Sequence, residues 1–75
     1  MSEEIPIRGG TIRLGQLLKL AGLVGSGAEA RELLASEPAL VNGDAESRRG
    51  RQLHPGDTVE AGGQTLRVTA SDETG

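Results

Sequence analysis

The chain has no cysteine, no phenylalanine, no tyrosine and no tryptophan among its 75 residues, and a single histidine. Without thiols there is no disulfide, no thiolate metal site and no cysteine nucleophile. Without aromatic rings the core must be aliphatic, yet Leu, Ile and Val together supply only 17 of 75 residues, just above the level at which a chain looks disordered. No apolar run approaches the roughly 20 residues needed to span a membrane. The opening MSEEIPIR is acidic and has no apolar secretory segment, so a soluble cytoplasmic protein is expected. A chain of this length supports one domain with a small core.

What the sequence does have is glycine and unevenly placed charge. Twelve glycines, about twice the usual share, predict many tight turns. The formal charge of −3 is concentrated at the two ends, where Glu3, Glu4, Asp72 and Glu73 outnumber Arg8. Residues 1–4 and 71–75 therefore read as flexible acidic tails around a domain spanning 5–68. Between residues 11 and 68, seven basic residues balance seven acidic ones, and three of the basic ones, Arg48, Arg49 and Arg51, fall within four positions.

Periodicity places the elements. Ile5-Pro6-Ile7-Arg8 reads as an edge strand, because Pro6 cannot donate to a central ladder. Leu14, Leu17, Leu18 and Ala21 form one apolar stripe and predict a helix over 11–23, with Thr11 as N-cap and Gly22 ending it. Ser26 and Glu29 have capping-box spacing and open a second helix, whose end is marked by Pro38. Beyond Pro38 the pattern turns to short strands. Asn42-Gly43 and Gly62-Gly63 read as hairpin turns and Pro55-Gly56 as a type II turn, with Asp57 stabilising the latter. The fold class is α+β: a two-helix hairpin packed on a small antiparallel sheet.

Catalytic equipment is sparse. His54 precedes a turn, Ser26 is better explained as a cap, and no phosphate-binding glycine signature with a following Lys-Ser or Lys-Thr is present. The protein therefore reads as no enzyme, with no cofactor, metal or small-molecule substrate. Arginine, by contrast, pairs bidentately with phosphate. The charge pattern leaves two readings open for Arg48, Arg49 and Arg51, a phosphate-binding loop or a solvated face. Binders of single strands usually stack bases on aromatic rings. Their absence here favours structured RNA, read through phosphates and shape.

IRLGQLLKLAGL, SGAEARELL, LVNG and RRGRQLHPGDTVE, in that order and spacing, resemble the ribosomal-protein-S-four type of RNA-binding domain, most closely its small stand-alone bacterial YbcJ-like branch. The resemblance covers residues 5–68 and implies the S-four-like (αL motif) fold. It also implies binding of structured RNA, ribosomal or transfer, in ribosome assembly or RNA processing. Carried over, it assigns RNA contact to Arg13, Lys19, Arg31, Arg48, Arg49 and Arg51, and structural turns to Asn42, Gly43, Gly56 and Asp57. Two departures stand out: Gly27 occupies a position where many members carry Arg or Lys, and Glu29 and Glu32 make the second helix acidic. The rival readings are a β-grasp sulfur carrier, which shares VNG and a GD turn but needs a C-terminal Gly-Gly, and a protein-interaction module with an acidic partner. The lack of aromatic hot-spot residues favours a monomer.

Overall fold

The computed structural model describes residues 2–71. The chain opens with β1 (Ser2–Ile7) and a short β2 (Ile12–Arg13), then runs through α1 (Leu14–Leu20) and α2 (Gly27–Ser36). Five strands follow: β3 (Ala39–Val41), β4 (Asp44–Glu46), β5 (Gln52–Leu53), β6 (Thr58–Ala61) and β7 (Gln64–Ala70). The main sheet has the order β1-β7-β6-β3-β4, while β2 and β5 form a separate two-stranded ladder.

The architecture is α+β, as the periodicity implies, but the sheet is mixed rather than wholly antiparallel. β1 lies parallel to β7, from Ser2 beside Thr65 to Ile7 beside Ala70. Parallel neighbours need a long crossover, and the entire helical pair and the inner strands supply it. Pro6 sits on this edge strand, where a missing N–H is tolerated. The pairing also corrects the expected tails. Residues 2–4 are the first half of β1, and the Ser71 N–H donates to the Ile7 carbonyl at 2.9 Å. Residues 1 and 72–75 lie outside the described residues.

One face of the sheet is buried. Ile5, Ile7, Ala39, Val41, Val59, Leu66 and Val68 pack against Leu14, Leu17 and Leu18 of α1 and Ala30 and Leu34 of α2. Leu53 seals the β2–β5 side. The alternation along each strand leaves Leu40, Glu60 and Arg67 on the solvated face. No described helix is long and apolar enough to cross a membrane.

The turns follow their residue chemistry. Asn42 (φ 52°) and Gly43 (φ 90°) make the β3–β4 reversal, and Gly62 (φ 57°) and Gly63 (φ 77°) the β6–β7 one. Asn42 also ties the two ends of the sheet's inner strands together. Its Nδ2 donates to Asp57 Oδ1 at 3.0 Å, and its Oδ1 accepts from the Thr58 N–H at 2.9 Å. Asp57 in turn accepts from the His54 N–H at 2.8 Å, closing the Pro55-Gly56 turn. Burial works to raise the Asp57 pKa, but the His54 and Asn42 donors outweigh it, and the net shift is downward. The backbone of His54 does this work, while its side chain stays exposed.

The second helix begins as expected. Ser26 Oγ accepts from the Glu29 N–H at 3.2 Å, and Glu29 reaches back to the Gly25 N–H at 3.0 Å. The first helix does not. Thr11 is not its cap; Ile12 and Arg13 are extended and pair with Leu53 and Gln52. Arg13 occupies the N-cap position without a side-chain bond. The helix ends as expected, with Gly22 (φ 77°) donating to the Lys19 carbonyl and Leu23 to the Leu18 carbonyl, a Schellman arrangement.

Candidate nucleic-acid interface

The missing cap of α1 leads directly to the arginine loop. The first N–H groups of a helix have no partner within it. Here the Leu14 N–H donates to the Arg51 carbonyl and the Gly15 N–H to the Arg49 carbonyl, both at 2.8 Å. A tight turn over Arg48–Arg51, closed by the Arg51 N–H on the Arg48 carbonyl at 3.2 Å, presents these carbonyls. The loop is therefore the N-terminal cap of α1, not a free excursion.

Two glycines lie against the loop, Gly15 against its backbone and Cβ and Gly27 against the end of the Arg49 side chain. A Cβ at Gly15 would stand 3.3 Å from Arg49 Cβ, 3.5 Å from the Arg49 carbonyl oxygen and 3.7 Å from Ala30 Cβ. A Cβ at Gly27 would stand 3.0 Å from Arg49 Nη1. The Arg49 side chain thus lies across the start of α2, in the space that a larger residue at position 27 would claim. The departure at Gly27 makes room for a cation delivered from elsewhere in the chain.

The three loop arginines separate into two groups. Arg49 joins Arg13 and Lys19 around a shallow cleft of about 250 Å³, floored by Gly15, Gly27 and Gly50 and edged by Gln16. Among the described residues, none of these three cations pairs with a carboxylate. Arg48 and Arg51 instead turn to Glu46. Arg48 Nε donates to Glu46 Oε2 at 3.0 Å and its Nη2 to Oε1 at 3.1 Å, a bidentate fork, and the Arg48 N–H adds a third bond at 3.1 Å. Arg51 Nη1 donates to Glu46 Oε1 at 3.0 Å. With these donors, the side-chain bond from Arg48 first among them, the Glu46 carboxyl falls from 4.5 to about 2. Arg48 shifts upward for the same reason.

Arg31 stands apart. It is exposed on α2 and lines neither the Arg49 cleft nor the neighbouring one formed by Arg48, Gly50, Arg51 and Gln52. The turn residues Asn42, Gly43, Gly56 and Asp57 support the sheet and stand outside both clefts. Sequence reasoning passed over Glu46, Gly15 and Gln16 as parts of this surface. Glu46 opens the ESRRGR segment, and that local charge pairing was the available signal.

The helical pair, the mixed sheet and the basic loop lying against the helix starts define a small domain. A family model for the S4 domain matches residues 5–69, and the chain belongs to that family. The β-grasp alternative falls with this assignment, since β1 and β2 belong to different sheets and form no opening hairpin. Among curated proteins, the chain is 44% identical over 63 residues to the Probable ribosome maturation protein RlbA of Bacillus subtilis (strain 168), across 84% of this chain and 89% of that protein.

Proposed function

We propose that this protein is a non-catalytic RNA-binding factor that acts in ribosome maturation in the bacterial cytoplasm. It binds structured ribosomal RNA, as a monomer, through phosphate contacts. The observation that carries this reading is the cleft ringed by Arg13, Lys19 and Arg49, three cations without carboxylate partners among the described residues. An acidic chain that nonetheless leaves three cations unneutralised on one concave face is suited to a polyanion. The lack of aromatic side chains favours phosphates and shape over stacked bases. Ribosomal rather than transfer RNA is favoured by the ribosome maturation role printed in the name of the Bacillus relative. Arg48 and Arg51 extend the surface on the next cleft, and Arg31 lies outside it.

The test is binding to a folded ribosomal RNA fragment, transfer RNA and duplex DNA across a salt series. Arg13→Ala/Lys19→Ala/Arg49→Ala is expected to bind weakly, with a salt slope shallower by about two to three units. Arg67→Ala, on the opposite face of the sheet, is expected to bind as the wild type does. A folded wild type that binds no nucleic acid at low salt would overturn the reading. A pull-down surviving nuclease treatment would then point to an acidic protein partner.

A further inference from the structure

Glu46 is out of place for a basic binding surface. It sits on the edge strand β4 directly opposite Ala39, so its side chain points to the core side of the sheet, where it is only 7% exposed. A carboxylate in that position must be satisfied by donors. It accepts four bonds, all from the arginine loop. The two arginines that hold it keep their outer surfaces in solvent, with side chains 76% exposed for Arg48 and 38% for Arg51.

We propose that Glu46 is a positioning residue for RNA, fixing Arg48 and Arg51 as a rigid pair of phosphate donors beside the Arg49 cleft. This rests on the RNA-binding reading above and deepens it. A guanidinium carries five N–H donors. Arg48 spends two on Glu46 and Arg51 spends one, so each retains donors for a phosphate. Two arginines around one carboxylate still leave a positive local charge. A free arginine loses much rotamer freedom when it grips a ligand, whereas one already clamped has lost it on folding. The buried carboxylate thus prepares the loop for binding, although its own charge repels the phosphate.

The two effects have opposite signs, and Glu46→Gln separates them. Charge alone predicts tighter RNA binding once the negative group is gone. Positioning predicts weaker binding, by about tenfold, the scale of one lost charge-assisted hydrogen bond. The affinity of the full chain for the folded ribosomal RNA fragment is measured for wild type, Glu46→Gln, Arg48→Ala/Arg51→Ala and the triple combination. The expected result is that Glu46→Gln weakens binding in the wild type and has no further effect once both arginines are removed. Equal or tighter binding by Glu46→Gln overturns the inference, and so does an equal loss in both backgrounds, which marks a merely structural role. Nitrogen-15 relaxation of the arginine Nε–H groups in the free wild-type protein needs no variant. Arg48 and Arg51 are expected to be markedly more rigid than Arg67, and equal mobility overturns the clamp. If wild-type protein binds no RNA, the proposed function fails and takes this inference with it. If wild type binds and Glu46→Gln binds as well, only this inference fails.

Discussion

Gly15 and Arg49 meet backbone to backbone: the Gly15 N–H donates to the Arg49 carbonyl at 2.8 Å, and the Cβ of Arg49 lies over the face where glycine has none. This contact seats the basic loop on the helical pair and places the Arg49 side chain across both helix starts.

Gly15→Ala should therefore fail to stabilise the protein. Alanine in a helix is favoured over glycine by about 1 kcal/mol. Here the new methyl would press on Arg49 Cβ at 3.3 Å, and that atom is held in place by the hydrogen bond beside it. Overpacking of this kind costs ~1–3 kcal/mol. We expect a net loss and a melting temperature lower by roughly 5 °C, since about 1 kcal/mol shifts a domain of this size by several degrees. Thermal unfolding by circular dichroism checks it, and a rise in melting temperature would show that the loop yields.

Asn42→Ala removes the side-chain bonds to Asp57 and Thr58 and puts a Cβ residue without polar compensation at φ 52°. Two hydrogen bonds and a left-handed backbone together set a loss of ~2–3 kcal/mol. Asn42→Gly keeps the backbone freedom and loses only the side-chain bonds, so it should cost less. Urea denaturation of the two variants gives the order, and equal losses would remove the backbone component of this account.

Acid stability should depend on Glu46. Its carboxyl lies near 2 in the folded protein against an ordinary value of 4.5. A group depressed on folding stabilises fully above its unfolded value and ceases to do so as pH falls toward its folded one. The contribution is therefore complete above about pH 4.5 and disappears on the way down to about pH 2. Asp57, also shifted downward, acts in the same sense. Melting temperature followed against pH should fall less steeply in Glu46→Gln than in wild type across that window. Parallel curves would contradict the pairing with Arg48 and Arg51.

Much of the fold could be read locally, and the exceptions share a cause. Ser26 and Glu29 cap their own helix, Asn42-Gly43 and Gly62-Gly63 turn on their own backbone preferences, and Pro6 marks an edge. Each of these devices lies within a few residues. The start of α1 could not be read in this way, because its cap comes from the carbonyls of Arg49 and Arg51, and Ile12–Arg13 are held extended by Gln52–Leu53. The parallel pairing of β1 with β7 likewise has no local signature. In the candidate site, the sequence marked the cations but not their grouping. Gly27 reads as a lost positive charge until Arg49 is seen beside it. Glu46 reads as one more surface carboxylate until the register places it opposite Ala39.

The parallel pairing of β1 with β7 also bears on the order of events when the chain is made. The first described strand has no main-sheet neighbour until the last one exists, and α1 has no cap until residues 49–51 follow it. Contacts this distant close late, because chain entropy must be lost before they contribute. A chain still emerging from synthesis, or one clipped before β7, would therefore carry its loop arginines with β1 left unpaired. The cleft draws Arg13 and Lys19 from before α2 and Arg49 from after it, so its cations come together only once residue 49 has been made.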